Sequence, residues 1–286
     1  MRSQDCLYTI AYLPHERLEQ LLLDEFAPIA RDIEHHPDID SLFFVRYSEA
    51  RWQLRFRVLG RPEWVRGELR SRLDSRLTEL VRQGIVEEFA FARYDRELDR
   101  YGGEEGMALA ERLFFHDSMA ALAYCLAERQ GLTRRSRREF AMLLVDRVVA
   151  LAELTRRERL AFYEHGYSWA LTNGEWTQED VEILQRRFQE LLPGLDRLLA
   201  EDQDEEKRWG GPAAAELANR FLSDAAPILK SILEGVATGR IQQEKVYLLW
   251  SYTHMFTNRL GIESGAEAVL RFFMHRHMQA REPAEA

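Results

Sequence analysis

The sequence predicts an α+β fold, an N-terminal ferredoxin-like βαββαβ sheet followed by a mainly helical C-terminal part. Three observations lead there. Apolar residues recur with a period of two only within the first hundred residues. Helical periods interrupt them in the order strand, helix, strand, strand, helix, strand. Beyond Arg93 the strand signal disappears and every periodic stretch is helical.

Residues 6–13 read as the first strand, with Leu7, Thr9 and Ala11 opposing Tyr8, Ile10 and Tyr12. Pro14 opens a helix in which Leu18, Leu21, Leu22, Phe26 and Ile29 recur at helical spacing. Residues 41–47 and 52–59 form a hairpin around Ser48-Glu49-Ala50-Arg51. Residues 64–81 return to helical spacing, Gln83-Gly84 stops that helix, and residues 85–91 alternate again. Helices are expected over residues 106–115, 119–130, 137–154, 156–169, 177–199, 212–234, 242–260 and 266–277. Asp117-Ser118 offers a cap between the first two, and Thr177 to Asp180 fits a capping box. The acidic stretch 201–211 reads as a mobile loop. The expected division is 1–103 and 104–286, joined as one body with the active site between them.

Hydrophobic residues make up 46% and charged residues 30%, as in ordinary globular chains. The formal net charge is −9, but the positive charge is almost all arginine, which forks onto carboxylates and keeps its charge at any ordinary pH. The one basic block, residues 134–138, runs straight into an apolar helix, so a nucleic-acid partner is not expected. Cys6 and Cys125 show no metal-ligand spacing, and no stretch has the length or character of a signal peptide or a membrane span. A cytoplasmic protein with no membrane association and no cofactor is expected.

Three clusters carry chemistry. In an extended strand Arg55 and Arg57 share one face, with Leu54, Phe56 and Val58 on the other. Side by side, two guanidiniums are either a solvated surface pair or a clamp for a carboxylate or developing oxyanion. The run from Arg93 to Gly103, if helical, aligns Arg93, Arg96 and Arg100, either as a salt-bridged turn with Asp95, Glu97 and Asp99 or as a cationic face. His254 and Asn258 lie one turn apart on a largely apolar helix. Such a histidine is either a hydrogen-bonded core residue or, facing a cavity, a proton carrier near neutral pH.

Taken in order, Phe43-Phe44-Val45-Arg46-Tyr47, Leu54-Arg55-Phe56-Arg57, Tyr94-Asp95-Arg96-Glu97-Leu98-Asp99-Arg100-Tyr101-Gly102-Gly103 and His254-Met255-Phe256-Thr257-Asn258-Arg259-Leu260 resemble a known signature. It is that of the lanthipeptide dehydratase elimination domain, also called the thiopeptide-type bacteriocin biosynthesis domain. Phe114-Phe115-His116-Asp117-Ser118 also matches, and the resemblance spans about residues 5–277. It implies a lyase that removes glutamate from glutamylated Ser or Thr of a precursor peptide, leaving dehydroalanine or dehydrobutyrine. It implies catalytic roles for Arg55, Arg57, Arg96 and His254 and substrate contacts at Arg46, Arg93, Arg100, Tyr101, Asn258 and Arg259. The implied partners are a precursor peptide with leader and core, a separate glutamyl-tRNA-dependent glutamylation enzyme, and a second copy in a homodimer.

The chain departs from the family pattern in its hairpin, where Ser48-Glu49-Ala50-Arg51 and Trp52-Gln53 replace the usual histidine and proline-glycine turn. It also has no room for the glutamylation module, so a free-standing, split form is expected. Two other readings stand beside elimination. One is a thiopeptide pyridine synthase, which joins two dehydroalanines in a formal [4+2] cycloaddition and expels the leader. The other is a non-catalytic partner that binds a leader peptide by adding it to a sheet edge.

Overall fold

The computed structural model describes residues 4–200 and 204–281. It is a mixed α/β protein, mostly helical, with one four-stranded antiparallel sheet near the N-terminus. The chain divides into two compact units, Met1–Leu126 and Ala127–Ala286.

In the first unit, β1 (Asp5–Tyr12) leads into α1 (His15–Leu21), which continues through a π-helical turn at Leu22–Phe26 into α2 (Ala27–Ile33). Then come β2 (Ile39–Ser48), β3 (Trp52–Gly60), α3 (Pro62–Trp64), a second π-helical turn at Val65–Leu69, α4 (Arg70–Arg82) and β4 (Glu88–Ala92). The sheet order is β2-β3-β1-β4, with every neighbour antiparallel. Both π turns fall where apolar residues crowd one helical face, and all of Leu22, Leu23, Phe26, Val65 and Leu69 are buried.

Alternation along β3 decides the faces. Leu54, Phe56 and Val58 are fully buried and share their face with Leu42 and Phe44 of β2 and Thr9 and Ala11 of β1. Phe26 reaches that face from the first π turn, its ring 4.9 Å from Phe56. The opposite face carries Tyr8, Phe43, Arg55 and Arg57, with Tyr8 and Phe43 directly across from Arg57.

After β4 the chain runs without regular structure to α5 (Leu98–Tyr101), a single turn, and then α6 (Glu104–Arg129). Gly102 ends α5 in the left-handed region, φ 78°, and the next amide, Gly103 N–H, donates to the Leu98 carbonyl at 2.8 Å. Arg93, Arg96 and Arg100 therefore do not line up on one helix. Nor does Asp117-Ser118 cap anything, because α6 runs through it unbroken with both residues buried. Ser118 Oγ instead accepts the Phe44 N–H of β2 at 3.4 Å, so the polar pair serves a strand amide while the flanking alanines and leucines carry the helix on.

The second unit contains α7 (Arg137–Leu151), α8 (Arg156–Thr172), α9 (Gln178–Leu199), α10 (Glu205–Trp209), α11 (Pro212–Ala237), α12 (Lys245–Arg259) and α13 (Ser264–Ala280). Capping boxes start three of them, at Ser136/Glu139, Thr155/Glu158 and the expected Thr177/Asp180. The expected loop at 201–211 is corrected. Residues 201–203 lie outside the described residues, but Glu205–Trp209 is a helical turn capped by Asp204. Trp209 is 1% exposed, its indole N–H donates to Glu205 at 2.8 Å, and its ring lies 5.5 Å from Phe140. One buried indole outweighs the acidic composition around it.

Trp209→Ala is expected to destabilise the protein by about 3–5 kcal/mol, the usual loss for a large buried aromatic. Limited proteolysis between residues 204 and 211 should accelerate in parallel. An unchanged urea midpoint and unchanged cleavage would show that the tryptophan does not anchor this turn.

Candidate functional site

The arginine face of β3 is built from aromatic rings. The Arg57 guanidinium lies 4.2 Å from the Tyr8 ring centroid, 5.1 Å from Tyr94 and 5.6 Å from Phe43. Its Nε is buried and has no hydrogen-bond partner. Arg55 stacks 3.4 Å over Tyr47 and donates from Nε to Gln53 at 3.0 Å. Among the described residues, no carboxylate comes within ion-pair distance of either guanidinium. Ring faces at these distances each contribute roughly 0.5–2 kcal/mol. That is enough to hold the two cations on one face but not to neutralise them.

Tyr94 is held in turn by Glu111 of α6. Burial and the neighbouring Glu111 push the Tyr94 hydroxyl well above its usual range, so it stays protonated and hydrogen bonds to that carboxylate. Arg96 grips Glu111 with both Nε, at 2.9 Å, and Nη2, at 2.8 Å, and reaches Glu104 with Nη1 at 2.6 Å. Glu111 is 4% exposed, and burial raises its carboxyl above the ordinary range even though Arg96 and Tyr94 pull it down. The backbone oxygen of Glu111 also accepts from Ser41 Oγ of β2 at 2.7 Å, tying this residue to the sheet.

The other candidates in this unit are placed differently. Arg46 stands opposite Leu54 and so shares the helix-covered face, where it pairs with Glu19 of α1 at 2.5 Å. Arg93 is exposed and pairs with Asp95 at 3.0 Å, and Arg100 pairs with Glu97 at 2.9 Å. Tyr101 is 2% exposed and packs edge-on to Phe114. The expected salt-bridged turn thus describes Arg93 and Arg100, while Arg96 leaves it for Glu111.

His254 lies in the second unit, on α12. Its Nδ1 is 2.7 Å from Glu267 Oε2 of α13, and its ring stacks on Trp250 with centroids 5.3 Å apart and planes 13° apart. Glu267 also accepts from Arg271 through Nη2 at 2.9 Å and Nε at 3.3 Å, and Arg271 Nη2 donates onward to Thr253 Oγ1 at 3.0 Å. Burial alone would raise the Glu267 carboxyl, but Arg271 and His254 overcome it and hold the group at about 2. Arg271 fits because Gly166 of α8 has no side chain. A Cβ there would sit 2.6 Å from Arg271 Cγ. Asn258 is half-buried one turn beyond His254, whereas Arg259 is fully buried.

Tyr94, Glu111, Glu267 and Arg271 were not singled out by sequence reasoning. Glu267 and Arg271 did leave a signal, an opposite-charge i,i+4 pair inside the apolar run Ala268-Val269-Leu270-Phe272-Phe273. Glu111 left none, because its partner Arg96 is 15 residues away across a glycine turn.

These features define a class of protein before any particular relative. The fold is shared with solved structures of a lantibiotic dehydratase and of a pyridine synthase. The tRNA-dependent lantibiotic dehydratase MibB from Microbispora sp. 107891 superposes with a TM-score of 0.69 at 21% identity, over 96% of this chain and 28% of that one. TsrL gives 0.67 at 19% identity over 97% and 95%. TbtD, the pyridine synthase of thiomuracin biosynthesis, gives 0.65 at 14% identity over 96% and 98%.

The family model described as the C-terminal part of the lantibiotic biosynthesis dehydratase matches residues 7–278, and the chain belongs to that family. The subtilin biosynthesis protein SpaB of Bacillus subtilis is 31% identical over 164 residues, 57% of this chain and 16% of SpaB. The chain therefore spans about a sixth of that curated relative. Among the described residues, no helix is long and apolar enough to cross a membrane.

Protonation of Glu267 gives a directional test. Its folded value lies below the ordinary 4.5, so its contribution is complete above that pH and is lost as pH falls toward about 2. Urea unfolding of the wild type should lose more stability across that window than Glu267→Gln, which carries no titrating group. Equal losses would remove the buried ion pair from the acid response.

Proposed function

We propose that this protein catalyses glutamate elimination from glutamylated Ser or Thr of a ribosomally made precursor peptide. The observation that carries the reading is the arginine pair Arg55 and Arg57, two cations on one strand face held by ring faces and a glutamine amide, with no carboxylate partner among the described residues. The buried Arg57 Nε without an acceptor supports this reading when taken with the missing carboxylate, as an anion could satisfy both. The substrate offers one, because the ester to be cleaved carries glutamate's own carboxylate.

In the reaction a base takes the α-proton, the Cα electron pair forms the Cα–Cβ double bond, and the Cβ–O bond breaks to release glutamate as a carboxylate. The α-proton is a poor acid, so the developing enolate needs cationic stabilisation. Arg55 and Arg57 supply it and bind the leaving group. Arg96, closed onto Glu111, positions Tyr94 and through it Arg57. His254 carries the proton. Arg93, solvent-facing and paired with Asp95, Arg100, half-buried and paired with Glu97, and Asn258 would contact the peptide. Arg46, Tyr101 and Arg259 support the two units from within. The β2-β3-β1-β4 order suits a ferredoxin-like sheet. The glutamylated peptide would come from a glutamyl-tRNA-dependent activity in the cytoplasm.

A second reading has its own support, since TbtD shares the fold over 98% of its length. A pyridine synthase must join two alkenes and has no glutamate carboxylate to bind, so the open arginine pair favours elimination.

Incubation with a synthetic glutamylated peptide should produce a mass loss equal to glutamic acid at each modified site. Arg57→Ala should slow this by on the order of 10²–10³ and let the glutamylated peptide persist. Undiminished turnover in Arg57→Ala, or ring closure with leader loss on a dehydrated peptide, would overturn the assignment.

A further inference from the structure

We propose that Glu267 is a positioning residue that fixes the tautomer and ring plane of His254, leaving Nε2 as the bare, proton-accepting nitrogen. This rests on the proposed role of His254 as proton carrier.

The geometry leaves little alternative. Glu267 is 3% exposed, and among the described residues its side-chain partners are Arg271, which donates to Oε1, and the His254 Nδ1 against Oε2. Arg271 has five N–H groups and no acceptor, so it holds the carboxylate in its ionised, acceptor-only form. An ionised carboxylate at 2.7 Å from Nδ1 requires a proton on that nitrogen. In the neutral ring Nε2 then carries the lone pair, and it has no protein partner among the described residues.

Ring rotation is blocked a second time by Trp250, which lies nearly parallel to the imidazole. Arg271 is itself fixed by Thr253, by the Phe162 ring at 5.0 Å and by the space at Gly166. The assembly is a carboxylate that orients a base, on a helix separate from the base.

Glutamine at position 267 inverts the arrangement. Arg271 can only donate, so it claims the amide oxygen and turns the amide NH₂ toward Nδ1, which must then accept. The neutral ring carries its proton on Nε2 instead.

The test has two arms. In ¹⁵N spectra of histidine-labelled wild type, with the His254 signal assigned by its absence in His254→Gln, neutral His254 should show a protonated Nδ1 and a bare Nε2. Glu267→Gln should exchange the two. A protonated Nε2, or averaged signals, in the wild type overturns the proposal without needing any variant to fold. In the elimination assay, Glu267→Gln should lower kcat by on the order of 10² or more with KM little changed, and Glu267→Asp should recover part of it. If His254→Ala is inactive while Glu267→Gln is fully active, the positioning role is wrong. If His254→Ala is itself active, the reading of His254 fails, whatever the spectra show.

Discussion

The contact around which the first unit's candidate site is built is Arg57 among Tyr8, Phe43 and Tyr94. A guanidinium half-buried on a sheet face needs a partner, and a carboxylate would satisfy it completely and close it to any ligand. Aromatic faces satisfy it partly. The compromise is then secured from behind, where Arg96 locks Glu111, Glu111 fixes the Tyr94 hydroxyl, and Ser41 ties the Glu111 backbone to β2. Four elements thus converge on keeping one cation unanswered. In the second unit the carboxylate of Glu267 is itself answered, by Arg271 and by the His254 Nδ1, although the buried Arg271 Nη1 has no hydrogen-bond partner.

Much of the fold was legible, and for identifiable reasons. Period-two alternation gave the four strands, and leucine spacing gave the two helices beside them, because both patterns reflect one apolar face. The shared face of Arg55 and Arg57 followed from their spacing alone. What escaped was long-range pairing. Whether Arg46 joins that face depends on the register between β2 and β3, and in that register it stands opposite Leu54 and not Arg55. The pairing of Arg96 with Glu111 depends on a chain reversal through Gly102 and Gly103. Trp209 overrode an acidic neighbourhood, and Ser118 turned from cap to strand partner, because in each case a buried contact elsewhere outweighed local preference.

Membership of the lantibiotic dehydratase C-terminal family fixes the lineage of the chain but leaves the reaction to the side chains. A dehydratase and a pyridine synthase share this backbone at 21% and 14% identity to the chain. With so little sequence in common, the discriminating information sits in a few charges and in what does or does not neutralise them.

Gly166 extends that point to a residue with no side chain. It touches no candidate catalytic group, yet the space it leaves is occupied by the stem of Arg271, which holds Glu267, which holds His254. Even a single added methyl would press on that stem at 2.6 Å and be felt three contacts away. A side chain at position 166 should therefore disturb the contact between Glu267 and His254 from a distance. A surveyor ranking positions by distance from the chemistry would have no reason to expect it.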